Sequence, residues 1–492
     1  MLLLTPIPLI PLFAGLLCLF VRSRRAMEWL NVLAFAIVLA LGVRLLPQVL
    51  ARSTVTEWKE FLYADALSVW MVLLISVVSL SASLYAGRYF RRDLVAKAVT
   101  PGRVKEFFVL TPLFATGMFL VVLANNLGVM WFALEATAMS SVLLVALYNR
   151  RTSLEAAWKY IILGSLGLAL ALFGTVFTYA AAIGQVESGK LPSFNWSHFM
   201  SVAGQLDQRL IKLAFVFVLV GYGTKAGLAP MHTWLPDAHS EAPSPTSAML
   251  SGVSLKVALY ALLRFHILTT QCLDTGFSRT LLLCFGLFSM FLAAPFILVQ
   301  TNLKRLLAYS SLEHVGLICA GVGMNTPLTI FGALLHMGYH ALTKPVLFFA
   351  AGNIHQTFHS LELRVIGPGV VKVLPVTVLL MGLAAVAATG LPPFGLFYSE
   401  LTVIAGGFAA GKTLISVLVL VALIASFCGI LKQLMRVLIG TPKLARTSDA
   451  LAWDGVPAMA LLLGGLLIFS VWLPAPVLQL IRQAAGTVGG KP

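Results

Sequence analysis

The sequence predicts an all-α polytopic membrane protein of about fourteen crossing helices, on three observations. Apolar stretches of roughly 20 residues, the length that crosses a bilayer, recur from one end of the chain to the other. Hydrophobic residues make up 59% and charged residues 11% of the 492 positions, where soluble domains carry about 25% charged residues. The apolar runs are continuous, which argues against the alternating strands of a membrane β-barrel.

In order, the spans fall near 2–21, 27–50, 66–87, 106–124, 126–148, 154–183, 210–246, 247–268, 279–300, 306–324, 328–351, 373–409, 412–438 and 456–482. The opening MLLLTPIPLIPLFAGLLCLF has no basic leader and no A-x-A-like cleavage site, so it reads as a retained first helix. Basic residues crowd alternate connections: Arg22, Arg24 and Arg25; Arg88, Arg91, Arg92, Lys97, Arg103 and Lys105; Arg150 and Arg151; Lys304 and Arg305; Arg364 and Lys372; Lys432, Arg436, Lys443 and Arg446. The positive-inside rule places that set in the cytoplasm and both termini outside. The net charge of +16 is then a topology signal and a match to anionic lipid. Scattered over loops, it does not form the basic stripe of a nucleic-acid binder.

Cys18, Cys272, Cys284, Cys319 and Cys428 stand singly, with no C-x-x-C, so no zinc or iron–sulfur ligand set is present. No cofactor is expected on this chain, and redox centres belong on partners. GGFAAGKT (Gly406 to Thr413) matches the phosphate-binding loop pattern, but that loop needs a strand before it and a helix after it in a soluble domain. Between two apolar spans it reads as a Gly-rich turn with Lys412 at the headgroups.

Two segments are too long for one straight crossing, and each is interrupted near its middle. Gly227 and Pro230 interrupt the first; Gly390, Pro392, Pro393 and Gly395 interrupt the second. Backbone groups freed by proline at membrane depth must meet protein or water, so such breaks belong beside polar cavities. Gly390 follows Gly227 by 163 residues, which suggests repeated five-helix units.

Charge at the bilayer centre costs roughly 2.5–3.5 kcal/mol on insertion scales. Glu135, Lys225, Lys256, His336, His340, Lys344 and Glu400 all fall at that depth, and His314 lies nearer a helix start. Glu135 with Lys225 fits either a registry-fixing ion pair or a switch. Lys256 has no acid nearby in sequence, and an ammonium without a countercharge in low dielectric gives up its proton readily. His336, His340 and Lys344, at i, i+4 and i+8, share one helix face. Histidine passes protons through either ring nitrogen. The i, i+4 pair also permits a metal, but no third ligand accompanies it in sequence. His314 fits an entry or gating residue, or a hydrogen-bonded core histidine. The order acid, lysine, lysine, histidines with lysine, acid suits a lateral proton wire. His232, Asp237, His239 and Glu241 then lie at the cytoplasmic end, as feeders or gates, or as solvated polarity with Ser244 and Thr246 as caps.

KAGLAPMHTWLPDAHSEAPSPTSAML, EAAWKYIILGSLG, NLKRLLAYSSLEHVGLI and GLPPFGLFYSE resemble the antiporter-like subunits of respiratory complex I, of Mrp Na+/H+ antiporters and of formate-hydrogenlyase-type membrane-bound hydrogenases, over roughly 60–440. The resemblance implies fourteen helices with two inverted five-helix repeats (106–268 and 279–438), peripheral helices over 1–105, and a loop with a final helix over 439–492. It implies that Glu135 and Lys225 form a regulatory pair, that Lys256 is the central lysine, that His336, His340 and Lys344 conduct, and that Glu400 releases the proton. A glutamate at that last position is similar to the M-type proteins of complex I, the D-type proteins of Mrp antiporters and hydrogenase component F. The implied setting is a bacterial or archaeal cell membrane, with other membrane subunits and a redox module as partners.

Overall fold

The computed structural model describes residues 2–183, 193–273, 275–367, 370–438 and 455–490. Every expected span falls on helix. The first half comprises α1 (Pro6–Phe20), α2 (Arg24–Arg52), a hairpin of β1 (Val55–Glu57) and β2 (Leu62–Ala64), then α3 (Ala66–Val95), α4 (Pro101–Leu123), α5 (Leu127–Val145), α6 (Arg151–Ile183), a short α7 (Trp196–Ser201), α8 (Gln208–Ala226) and α9 (Trp234–Glu241). In the hairpin Val55 pairs with Ala64, antiparallel. The chain then runs from α10 (Ser244–Met249) through a π-helical turn (Leu250–Ser254) into α11 (Leu255–Cys272), followed by α12 (Phe277–Val299), α13 (Leu303–Met324) and α14 (Pro327–Phe358). Short α15 (Leu363–Ile366) and α16 (Val370–Val373) lead to α17 (Pro375–Ala388), α18 (Gly395–Ala409), α19 (Thr413–Leu438), α20 (Val456–Val471) and α21 (Ala475–Val488). Among the described residues nine continuous helices, Ser244–Cys272 counted as one, are long and apolar enough to cross a bilayer.

Both expected interruptions are present. α8 stops at Gly227, whose φ of 80° suits glycine alone, and α9 resumes at Trp234. α17 stops before Gly390, also at positive φ, and α18 resumes at Gly395. The Ala229–Pro230 and Pro392–Pro393 bonds are cis. The last expected span, 456–482, does not run straight: the chain bends by 79° between α20 and α21. Pro474 explains the stop, because it lacks an N–H and disfavours helix at Leu473. Past the bend α21 buries Leu480, Ile481, Ala484 and Val488 against α3 and α14.

α10–α11 and α13 are buried along their whole crossing windows, and α14 over most of its length. Large apolar side chains on the outside, such as Ile162, Phe173, Leu414 and Ile424, are exposed, as lipid-facing or subunit-facing residues must be. Close packing uses small residues: α12 meets α13 where Gly286 and Gly316 each lie against the other's carbonyl. Arg24, Arg25, Arg88 and Arg91 line one cavity, which places these basic residues on a single face. Both chain ends lie on the opposite face, the amides of Leu3 and Leu4 bonded to Glu57 and Gly490 beside Gln271. Lys443 and Arg446 lie outside the described residues. Gly406 to Thr413 forms a helix end and a turn, with Lys412 Nζ donating to the Met324 carbonyl at the C-terminus of α13, where a cation complements the helix dipole.

On the face of the termini, Arg264 of α11 clamps Asp65, the N-cap of α3, with Nη1 and Nη2 donating at 2.6 and 2.7 Å. Arg264 Nε and Ser68 Oγ also meet the Tyr260 hydroxyl, and the guanidinium lies over Trp196. Removing one partner of such a buried pair leaves the other uncompensated, at a cost of about 3–5 kcal/mol. Asp65→Asn is therefore expected to lower the thermal midpoint of the purified protein markedly; an unchanged midpoint would show the clamp to be dispensable.

Candidate functional site

Lys256 lies two residues past the π-helical turn, and no part of it is exposed to solvent. Its Nζ donates back to the Ser251 carbonyl at 2.5 Å and meets His340 Nδ1 at 2.5 Å. A π-turn widens the helix, and such turns concentrate at functional sites. Here it brings the lysine head onto its own backbone and across to α14.

From His340 the line does not run straight down α14. The His336 and His340 ring centroids are 6.3 Å apart, whereas the His314 centroid lies 4.7 Å from His340 and 5.0 Å from His336. His314 Nδ1 and His336 Nε2 are 3.0 Å apart, so one carries the proton and the other accepts it. His336 Nδ1 meets Ser399 Oγ at 2.9 Å, and the next residue is Glu400. The ligand-capable atoms of His314, His336 and Glu400 all lie within 4.8 Å of one another. Glu400 packs on the backbone of Gly390, inside the second break, where a side chain at Gly390 would strike the carboxylate. Packing thus brings His314 between His336 and His340.

Lys344 takes a different direction from the two histidines that share its face. Its Nζ donates to Ser310 Oγ at 2.8 Å and to the Leu307 carbonyl at 3.2 Å, toward α13. Glu313, 2% exposed, is the acid whose field reaches both Lys344 and Glu400. Glu313 does not stand out in the sequence when this helix is taken to begin at 306. With α13 starting at Leu303, Glu313 and His314 sit at mid-helix, and the missed signal was an acid at that depth.

Lys225 ends α8, 1% exposed, and its Nζ meets the Tyr160 hydroxyl at 2.5 Å. Tyr160 stacks on Trp234, just past the first break, and bonds Ser141 at 2.8 Å. Glu135 is only half-buried and accepts from Ser165 Oγ at 3.2 Å. Among the described residues Glu135 and Lys225 form no ion pair, so this structure holds the two apart. No direct hydrogen bond among the described residues joins Lys225 to Lys256.

The remaining candidates separate. Asp237 is held at the surface by Lys159 at 3.1 Å and Arg305 at 2.9 Å. It ties α6 to α13. His232 is buried, with Nδ1 lacking a protein partner. His239 is fully buried and neither ring nitrogen has one. Pro230, Pro392 and Pro393 are exposed at the breaks, while Gly227 is buried.

The three-residue cluster supplies the third ligand that the sequence lacked. Lys256 Nζ is bonded to His340, which packs beside this cluster.

Residues 124–425 match the family described as NADH:quinone oxidoreductase/Mrp antiporter, transmembrane. The chain belongs to this family. The matched stretch contains Glu135, Lys225, Lys256, His314, His336, His340, Lys344 and Glu400. Among curated members, the chain is 38% identical over 384 residues to a hydrogenase-4 component F homolog of Methylacidiphilum infernorum, covering 78% of this chain and 80% of that protein. It is 31% identical over 442 residues to NADH-quinone oxidoreductase subunit N of Desulforudis audaxviator, covering 85% and 83%. Among solved structures, a chain of the membrane-bound sulfane sulfur reductase, an archaeal respiratory membrane complex, superposes with a TM-score of 0.84 at 25% identity, covering 99% of this chain and 97% of that one. A chain of the Mrp complex from Dietzia superposes at 0.85 over 99% and 98%; at 19% identity that likeness speaks for the fold. As an antiporter-like family member, the chain is a multi-pass membrane subunit.

Proposed function

We propose that this subunit carries protons along the membrane arm of a redox-driven complex, through Glu135, Lys225, Lys256, the histidines and Lys344 to Glu400. The observation that carries the reading is the contact series Lys256–His340–His314–His336–Ser399, ending beside Glu400. Imidazoles and an ammonium suit protons; a sodium path would call for carboxylate and carbonyl oxygens instead.

When Glu135 and Lys225 pair, the carboxylate holds the ammonium proton. When a charge arriving from a neighbouring subunit separates them, the ammonium loses that support and its proton moves on. The arrangement with Glu135 on Ser165 and Lys225 on Tyr160 supports the second of these states. At about 4 Å and an effective dielectric of about 20, such a pair interacts by roughly 4 kcal/mol. Moving a charge against 100 mV takes about 2.3 kcal/mol, so one separation supplies energy of the right size before desolvation takes its share. Lys256 then accepts, the three imidazoles conduct, and Glu400 releases. Lys344, bonded to Ser310 on α13 and close to Glu313, joins the histidines from the side.

In this reading the face carrying the arginines is cytoplasmic, the termini face outward, and the home is a bacterial or archaeal cell membrane. Residues 106–268 and 279–438 act as two inverted repeats around the two breaks, flanked by 1–105 and 439–492. The electron-transfer centres sit on a hydrogenase-like or NADH dehydrogenase-like partner module, and nucleic acid has no part.

The test is the complex, purified with its partners and sealed in vesicles. Electron flow is expected to acidify the lumen at the same rate with and without Na+. Transport that requires Na+, with Mrp-type subunits copurifying in place of redox subunits, would make the chain a Na+/H+ antiporter subunit instead.

A further inference from the structure

We propose that protons reach this line from the arginine-rich face through a cavity of about 530 Å³ whose wall presents Asp93, and that Asp93, Tyr148 and Tyr89 form its first relay. The inference rests on the proton-translocation reading above.

The cavity opens among Arg91, Arg92, Arg150 and His355. Among the described residues Asp93 is the one acid lining it, and it is 5% exposed. Both of its oxygens are bonded: Tyr148 Oη donates to Oδ2 at 2.6 Å, and Gln356 Nε2 donates to Oδ1 at 2.7 Å. Behind Tyr148, at 2.7 Å, stands the hydroxyl of Tyr89, 2% exposed. The Tyr89 hydroxyl abuts Ser244, at the start of α10.

Beyond that point lie Thr246 Oγ1 and both nitrogens of His239, buried polar atoms with no hydrogen-bond partner among the described residues. Buried polar groups are rarely left unbonded, and ordered water is the usual partner. His239 feels the charges of Lys304, Lys344 and Lys256, and water at these atoms would carry the proton on toward the line described above. Lys304, 2% exposed and bonded to the Ala242 carbonyl, flanks it.

A proton taken by Asp93 from cavity water shifts the hydroxyl protons one place inward. Asp93 gives to Tyr148, Tyr148 to Tyr89, and Tyr89 to water beside Ser244. One proton has then moved, and each group regains its starting form once the hydroxyls rotate back. An anion-binding role for the arginine rim would have no use for a carboxylate in the wall, nor for a hydroxyl chain behind it. Asp237, bound by two cations, offers no such path.

The test uses the intact complex in vesicles, with charge movement read by a membrane-potential dye. Asp93→Asn is expected to slow coupled charge movement by about tenfold or more, with millimolar acetate restoring part of the rate by delivering protons to the cavity. Tyr148→Phe is expected to slow it similarly without acetate rescue, because the gap lies beyond the carboxylate. Loss in Asp93→Asn with no acetate response would make Asp93 a structural tie between α3 and α14 and overturn the proposal. So would wild-type rates in both variants while Lys256→Met is inactive. Wild-type rates in all three would remove the proton line itself.

Discussion

Replacing Lys256 with methionine is expected to abolish proton pumping while leaving an assembled, redox-active complex. Lys256 Nζ is the only group that reaches His340 Nδ1 from α11, and nothing else in the described contacts joins the two helices at that point. A positioned acid–base group contributes about 100-fold or more to a proton-transfer step. Methionine matches the lysine stem in length and flexibility. Volume-conserving exchanges of this kind cost less than about 1.5 kcal/mol, and removing a buried ammonium offsets some of that cost. Lost pumping would therefore report lost proton transfer rather than lost fold, and an unchanged thermal midpoint checks this directly. Lumen acidification in Lys256→Met at the wild-type rate per electron would refute the relay, because no alternative donor faces His340.

The crossing helices were legible because bilayer thickness sets a length that apolar runs must meet, and the two breaks because Gly227 and Gly390 sit beside prolines inside such runs. The bend at Pro474 was missed for a related reason. Apolar residues continue through Trp472 and Leu473, so hydropathy carried the helix past a proline that stops it. Site residues stood out because charge at membrane depth is expensive. Their partners did not, because packing rather than spacing brings them together. His314 comes from α13, His336 from α14 and Ser399 from α18. Asp65 and Arg264 meet across 199 positions of sequence. Asp237 stood out beside a helix break, but its partners Lys159 and Arg305 come to it only through packing.

The position of His314 leads to the second large effect. His314→Phe is expected to lower pumping by about 10- to 100-fold, although sequence spacing alone made His336 and His340 the conducting pair. With centroids 6.3 Å apart, those two rings are too distant for a direct hydrogen bond. His314 fills the interval: its Nε2 and that of His340 are both unbonded among the described residues, so a proton enters through a ring reorientation or a water and leaves by the 3.0 Å contact to His336. Phenylalanine preserves the ring and its packing but cannot carry a proton. The loss should be smaller than for Lys256→Met where water bridges part of the gap. The two variants should also differ in kind: after a brief pulse of electron donor, His314→Phe still loads Lys256 and shows a partial charge displacement, whereas Lys256→Met shows none. If His314→Phe pumped at full rate, protons would pass between His336 and His340 through water alone, and His314 would be a packing residue.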